Sequence, residues 1–266
     1  MPRKDEKNAR RFAGFADIYD SARPALPLCA IELACLYLGK TPGLVVDMGC
    51  GTGLSTFAWA SHCASVVGVE PSPDMLGIAR AKQQEGVSFV QAFSHDTGLE
   101  TASADVVICS QSFHWMEPTS TLTEISRILA PGGVFATVDC DWPPMCGTEA
   151  ELAYARLFEA VARAETETPA LRDASTKWSK DNHLKNIRQS GYFRYAREAV
   201  FDTVMDCTAD RLIGIAFSQG GLQAALKACP EQLLPEADRY CEAIRRVFGD
   251  KTFSVSFGYR MRIGVK

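Results

Sequence analysis

Short apolar runs alternate with amphipathic stretches through the first half of the chain. Gly43 to Asp47, Ser65 to Glu70, Val87 to Gln91, Asp105 to Cys109 and Val134 to Asp139 read as five strands. Asp105-Val106-Val107-Ile108-Cys109 is apolar almost throughout, as expected of a strand covered on both faces. Gly53 to Ser61 opens a helix between the first two strands. Ser72-Pro73-Asp74-Met75 starts another, with Ser72 as N-cap and Pro73 at the first helical position. Thr121 and Glu124 have the spacing of a capping box for a helix ending near Leu129, and Pro131-Gly132-Gly133 reads as a sharp stop. Residues 8–38 read as two helical pieces broken at Arg23-Pro24 and Pro27. After Asp139 the pattern changes. Residues 148–190 read as helical, Arg194 to Val204 alternates as a sixth strand, three helical segments lie between Asp210 and Phe248, and Thr252 to Val265 alternates as a last strand. No internal repeat is visible.

Strands alternating with helices predict an α/β, doubly wound, mostly parallel sheet. Right-handed crossovers then place the C-terminal ends of the parallel strands on one edge, where ligands bind. Asp47, Glu70 and Cys109 all fall at such ends.

The first of these ends carries the most informative motif. Leu44-Val45-Val46-Asp47-Met48-Gly49-Cys50-Gly51-Thr52-Gly53 is a short strand, an acid, and three glycines at alternate positions before a helix. Such a loop brings backbone N–H groups close to a nucleoside-like ligand without a Cβ in the way. A dinucleotide loop needs another glycine three positions after its second one. Leu54 and Thr56 occupy that position in the two registers, which disfavours a nicotinamide-dependent dehydrogenase. Glu70 ends the second strand at about the 20-residue offset of a ribose-binding acid, where a carboxylate accepts from both ribose hydroxyls.

The loop resembles the acidic-x-Gly-x-Gly-x-Gly loop of class I S-adenosylmethionine-dependent methyltransferases. The order Tyr19, Arg23-Pro24, the glycine loop, Val69-Glu70-Pro71-Ser72, Gln111-x-Phe113-His114-Trp115 and Leu129-Ala130-Pro131-Gly132-Gly133 is similar to the methyltransferase type 11, trans-aconitate methyltransferase-like, small-molecule branch. The resemblance is good over roughly residues 10–140 and extends beyond only in general layout. It implies a Rossmann-like seven-stranded sheet with a helical substrate-side insertion and an antiparallel C-terminal strand. It implies four parts: N-terminal helices (1–40), a donor-binding core (41–140), a substrate-side helical insertion (141–192) and a C-terminal completion of the sheet (193–266).

The cofactor so implied is S-adenosyl-L-methionine. Asp47, Gly49, Cys50, Gly51 and Gly53 would cradle it and Glu70, followed by Pro71, would hold its ribose. Arg23 would pair with its methionine carboxylate and Tyr19 would close over the same end. Met75 would pack on the adenine face. An aspartate commonly accepts from the adenine amino group where this chain has Phe93, so the Ser94 backbone would meet a ring nitrogen and His95 or Asp96 would supply the acceptor, with Ser94 and His95 the preferred contacts. Ser110 and Gln111 would reach the donor from the loop after the fourth strand. His114 is the best general-base candidate, since an unperturbed imidazole titrates near neutrality. Trp115, Trp142, Arg172 and Trp178 are substrate-side candidates, with Arg188 and Tyr192 beside them. The implied reaction is methyl transfer to a small molecule, favouring O-methylation of a carboxylate or hydroxyl. The alternative is a module that binds S-adenosylmethionine or S-adenosylhomocysteine without turnover.

Composition narrows the partners. Twenty-eight basic against 32 acidic residues give a net charge of -4, without the basic excess of a nucleic-acid binder. Arg3, Lys4, Lys7, Arg10 and Arg11 are interleaved with acids and read as a solvated terminus. No apolar run reaches membrane-spanning length and no secretory signal is visible, so a cytoplasmic protein without membrane partners is expected. The ten cysteines are irregularly spaced with no C-x-x-C pair, which predicts buried reduced thiols and no metal site.

Overall fold

The computed structural model describes residues 16–172 and 176–266. The basic cluster at Arg3–Arg11 and the start of the first expected helical piece lie outside them. Seven strands and eleven α-helices stand among the described residues. By contacts the chain divides into two compact units. One holds residues 24–140, 177–201 and 259–266. The other holds, of the described residues, 16–23, 141–172, 176 and 202–258.

The first unit is built on β1 (Leu44–Met48), β2 (Ser65–Val69), β3 (Val87–Val90), β4 (Ala104–Ser110) and β5 (Leu129–Cys140), which pair in parallel. The full sheet adds β6 (Tyr195–Cys207) and β7 (Phe253–Val265), in the order β3-β2-β1-β4-β5-β7-β6. β7 is antiparallel to β5, with Val138 opposite Met261. It also runs against β6: Arg262 reaches Glu198, Ser256 reaches Asp202 and Ser254 reaches Asp206, so one number falls as the other rises. The expected doubly wound sheet with an antiparallel last strand is therefore the one observed.

β1 and β4 form the middle of the sheet because their β-branched runs suit a strand covered on both sides. Val45, Val46, Val106, Val107 and Ile108 are all fully buried. The strand order reverses between them, since β1 leads outward to β2 and the chain returns to β4 on the other side. That reversal opens a crevice at the C-terminal ends of β1 and β4. Helices α2 (Leu28–Leu38), α3 (Leu54–Trp59), α4 (Pro73–Ala81) and α5 (Pro118–Ile128) belong to the same unit, as does α8 (His183–Gln189). Leu122, Ile125 and Ile128 recur at helical spacing on α5 and bury against the core with Phe113 and Phe135.

Two expectations fail around α5. The helix begins at Pro118, capped by Glu117, whose carboxylate accepts from the N–H groups of Thr119 and Ser120 at 3.0 and 2.7 Å. Proline at the first position needs no N–H partner and fixes the start there, so Thr121 and Glu124 lie inside the helix and form no capping box. Glu124 instead accepts from Thr97 N (2.9 Å), Thr97 Oγ1 (2.5 Å) and both Nε and Nη2 of Arg127 (2.7 Å each). Nor is Pro131-Gly132-Gly133 a break before the strand. β5 begins at Leu129 directly after the helix, and its register with β4 shifts between Ala104 and Val106. The Pro-Gly-Gly segment is thus absorbed as an irregularity within the strand.

Glu124 fastens the loop before β4 to α5. The Arg127 guanidinium holds its carboxyl well below the usual range, at about 2, with the Thr97 donors adding to the effect. A group depressed in the folded state stabilises above its unfolded pKa and loses that contribution as pH falls toward the folded value. Glu124→Ala is expected to cost about 2 kcal/mol. Thermal unfolding should show a drop of several degrees at neutral pH that shrinks as pH approaches 3; an unchanged midpoint would show that this tie contributes nothing.

The second unit is helical. α6 (Thr148–Glu167) and α11 (Pro230–Phe248) bury Tyr154, Leu157 and Val161 of one helix and Leu233, Tyr240 and Ile244 of the other. The Tyr240 hydroxyl donates to Leu212 O on α9 (Ala209–Phe217) at 3.0 Å. α1 (Ala16–Ala22), α7 (Pro169–Arg172) and α10 (Gly220–Ala228) complete it. The expected continuous helicity of 148–190 is interrupted: residues 176–179 are non-helical and Lys180–Asn182 form a 3-10 turn before α8.

Candidate adenosyl-donor site

The glycine loop sits at the end of β1 in the crevice. Gly49, Gly51 and Gly53 all have positive φ, at 71, 56 and 86°. Gly49 lies under the loop that follows β4: a Cβ there would stand 2.6 Å from Met116 Cε and 2.7 Å from Ser112 Cβ. That second loop is pinned by the Ser112 hydroxyl, which donates to Met48 O at 2.6 Å. Gly51 is different. A Cβ on it would meet no atom within 4 Å, so this glycine faces open space.

Asp47 is fully buried. Its Oδ2 accepts from the hydroxyls of Ser55 and Thr56, both at 2.6 Å, while Oδ1 has no hydrogen-bond partner among the described residues. Burial raises its pKa to about 6 against the opposing pull of the two hydroxyls. Glu70 is also buried. Its Oε2 accepts from Gly51 N at 3.1 Å and its Oε1 from Ser72 N at 2.9 Å. It therefore ties the glycine loop to the start of α4. Burial raises Glu70 to about 7; the two N–H groups oppose that shift and Asp47 adds to it.

Other expected contacts are distributed as follows. Cys50 donates its N–H to Val69 O (3.1 Å) and accepts from Gly53 N (2.9 Å). Its thiol packs beside Gly68, where a Cβ would come within 2.8 Å of the sulfur. Its polar backbone groups are thus engaged within the protein. Pro71 O accepts from Gln91 Nε2. Met75 is buried in the first turn of α4, and its N–H reaches the Ser72 hydroxyl, as the N-cap reading predicts. Ser94 turns its hydroxyl to Thr121 at 2.8 Å, and His95 stacks on Phe93 with 5.7 Å between ring centres. Ser110 closes β4. Gln111 follows it with φ of 55°, a strained value for a residue with a side chain, and its Oε1 accepts from Lys180 Nζ at 3.3 Å.

The Phe113–Trp115 turn holds His114, 3.7 Å from Asp139 at the end of β5. Burial lowers the His114 pKa to about 4, below the ordinary imidazole value. Trp178 donates its N–H to His114 O at 2.9 Å, and Trp115 lies beside the imidazole with the Lys177 ammonium over its ring at 5.3 Å. These two tryptophans therefore gather around His114. Tyr192 bonds Thr123, and Arg188 donates to Ala196 O, so both have structural partners.

The remaining candidates belong to the second unit. The Arg23 guanidinium stands over Tyr19 (5.1 Å) and over Trp142 (4.6 Å), and its Nε donates to the Ser218 hydroxyl at 2.7 Å. Arg172 is exposed at the end of α7. Asp139, Lys180 and His183 were not singled out in the sequence, although Asp139 obeys the strand-end rule that marks Asp47 and Glu70. Nine cysteines, Cys29, Cys35, Cys50, Cys63, Cys109, Cys146, Cys207, Cys229 and Cys241, are free thiols. Cys50, Cys109, Cys140 and Cys207 are buried and the other six cysteines are partly exposed, so burial is less general than expected.

The strand order, the reversal between β1 and β4 and the Asp47–glycine loop–Glu70 arrangement define a class I methyltransferase fold. Residues 46–137 match the family model of a methyltransferase domain, and this stretch of the chain is such a domain. A trans-aconitate 2-methyltransferase of Methylobacterium nodulans is 35% identical over 133 residues, 48% of each chain. An uncharacterized methyltransferase of Mycobacterium tuberculosis is 32% identical over 122 residues, 46% of this chain and 49% of that one. The chain thus spans about half the length of the curated relatives it matches. A solved protein of Anaeromyxobacter dehalogenans assigned as a type II methyltransferase superposes with a TM-score of 0.69 over 91% of this chain and 97% of its own, at 21% identity, and so shares the fold. No helix among the described residues is long and apolar enough to cross a membrane.

Proposed function

We propose that the protein transfers a methyl group from S-adenosylmethionine to an oxygen of a small organic acid. The observation that carries the donor assignment is the pairing of Glu70 with Gly51. A buried carboxylate and a glycine open to free space share one hydrogen bond at the switch point of the sheet. The unpartnered Oδ1 of Asp47 supplies a further acceptor beneath the loop. These groups suit a ribose and its amino-acid tail better than a pyrophosphate, which would be repelled by two carboxylates.

The bound donor supplies a methyl already activated on a sulfonium, so the protein's task is alignment and exclusion of water. Glu70 holds the ribose hydroxyls, and the loop Gly49–Gly53, including Cys50, shapes the floor. Pro71 and Met75 border the adenine side together with Ser94 and His95. Ser110 and Gln111 line the wall from β4. Trp115 and Trp178 frame the acceptor around His114. Lys177 and Lys180 bring positive charge to this loop, and the relative named as a trans-aconitate 2-methyltransferase acts on an acid; both favour a carboxylate acceptor, which is ionised at neutral pH and needs no base.

Calorimetry with S-adenosylhomocysteine followed by methyl-transfer assays across a panel of mono-, di- and tricarboxylic acids tests this reading. Tight binding with product from at least one acid is expected. Tight binding with no product from any acceptor would leave a binding module, and no binding at all would remove the donor assignment.

A further inference from the structure

A second cluster lies in the first unit, and no part of it is needed to hold the donor's ribose or adenine. His114 comes from the turn after β4, Asp139 from the end of β5 and His183 from the first residue of α8. His114 Nδ1 lies 3.7 Å from Asp139 Oδ1, and His183 Nε2 lies 3.7 Å from Asp139 Oδ2. One ligand atom from each residue falls within 4.8 Å of the others. His183 is 0% exposed, yet neither of its ring nitrogens has a hydrogen-bond partner among the described residues, and His114 Nδ1 has none either. Leaving a buried polar atom unsatisfied is costly, and folded proteins pair nearly all of them. Two such nitrogens, His114 Nδ1 and His183 Nε2, face one carboxylate and ask for a common partner.

We propose that His114, Asp139 and His183 form a binding site for a divalent first-row transition ion. Two imidazoles and one carboxylate are a donor set suited to zinc, cobalt, iron or nickel rather than magnesium or calcium. Bonds of about 2.1 Å span at most about 4.2 Å between two donors. The 3.7 Å pairs already meet that limit, and the remaining pair, within 4.8 Å, closes by no more than about 0.6 Å, within reach of side-chain rotation. Three protein ligands leave a fourth position for water or for an oxygen of a bound small molecule.

Two cations also contact Asp139, and they have different parts. Arg262 donates Nη1 to Oδ2 at 2.9 Å and Nε to Glu198 Oε2 at 2.7 Å. Its side chain is buried and held at both ends, so it stays and orients the carboxylate, as outer-shell groups do around metal ligands. Lys180 Nζ lies 3.1 Å from Oδ1 on a side chain that is 34% exposed, with Gln111 Oε1 as its other partner. It is the movable cation. The incoming ion takes its place on Oδ1 while the ammonium moves toward Gln111 and solvent. Residues 114, 139 and 183 are far apart in sequence, which is why no ligand spacing is visible there.

The purified full chain, stripped with a chelator, should bind one cobalt(II) per chain, read by its visible absorption bands and by calorimetry. Zinc should compete for the same site and remain after dialysis, read by elemental mass spectrometry. His183→Gln should weaken cobalt binding by at least about 100-fold, since losing a ligand costs no less than losing an outer-shell partner. Lys180→Met should strengthen it by about 10-fold by removing the competing charge. This second variant changes a partly exposed side chain, so it tests the site even if the His183 variant fails to fold, which circular dichroism would show. Absence of one-equivalent binding in both the wild type and Lys180→Met overturns the proposal, as does cobalt binding that a folded His183→Gln leaves unchanged. Binding of S-adenosylhomocysteine, followed in the same samples, reports separately on the donor assignment.

Discussion

Glu70→Ala is expected to lower the affinity for S-adenosylhomocysteine by about 100-fold or more. Two charge-assisted bonds to ribose hydroxyls contribute on the order of 3 kcal/mol together, and each 1.4 kcal/mol is tenfold in affinity. The loss compounds because the same carboxylate accepts from Gly51 N and Ser72 N, so its removal also loosens the loop that faces the ligand. Acidity gives an independent check. Burial sets the Glu70 pKa at about 7, above the ordinary 4.5, and only the ionised form accepts from both hydroxyls. Affinity in the wild type should rise with pH through about 7 and level off above it. Stability of the ligand-free protein runs the other way. The unfolded chain releases the proton near 4.5 and the folded chain keeps it until about 7, so stability falls as pH rises across that window. Calorimetry in buffers of different ionisation enthalpy measures the proton released on binding. Equal affinity from about pH 6 to 8, together with normal binding by Glu70→Ala, would refute the ribose role.

A pair of alanine substitutions separates the architecture of the glycine loop from its use. At Gly49, alanine should destabilise the protein by about 3 kcal/mol, combining a left-handed backbone penalty with overpacking. The new Cβ runs into Ser112, whose hydroxyl is fixed on Met48 O, and into Met116. Melting should fall by several degrees and donor binding should go with it. At Gly51 only the backbone penalty of about 1 kcal/mol applies, because nothing lies within 4 Å. Gly51→Ala should therefore fold with a small loss of stability, yet bind S-adenosylhomocysteine at least about tenfold more weakly. Thermal unfolding and calorimetry on the two variants read the contrast; a Gly51→Ala protein with undiminished affinity would mean that the ligand does not approach this part of the loop.

How far these features are legible in the sequence depends on how local their causes are. β1, β2 and β4 announce themselves because runs such as Val45-Val46 and Val106-Val107-Ile108 need cover on both faces, and few alternatives fit so short a segment. The start of α4 is equally readable, since Ser72-Pro73 specifies both cap and first turn. Around α5 the local signals conflict. Glu117-Pro118 and Thr121 with Glu124 are both plausible starts, and the choice goes to the one where proline needs no partner, while Glu124 is drawn off by Thr97 and Arg127. The motif loop is visible because its glycines are consecutive in chain order. The Asp139 cluster is not, because β5, the 3-10 turn at Lys180 and α8 are brought together only by the folded unit. The burial of His114 is hidden for the same reason: it comes from residues distant in sequence.

The thiols carry a practical corollary. Burial raises the pKa of Cys29, Cys35, Cys50, Cys63, Cys109, Cys146, Cys207 and Cys241, to about 11 at Cys63 and about 12 at Cys146. Thiolate is the reactive species, so these native side chains compete poorly for a maleimide dye at neutral pH. A single new cysteine at the exposed Leu36 position would be labelled ahead of them. The molecule therefore lends itself to site-directed fluorescence once Cys229, which is not among them and whose sulfur lies 3.2 Å from Thr168 Oγ1, is replaced.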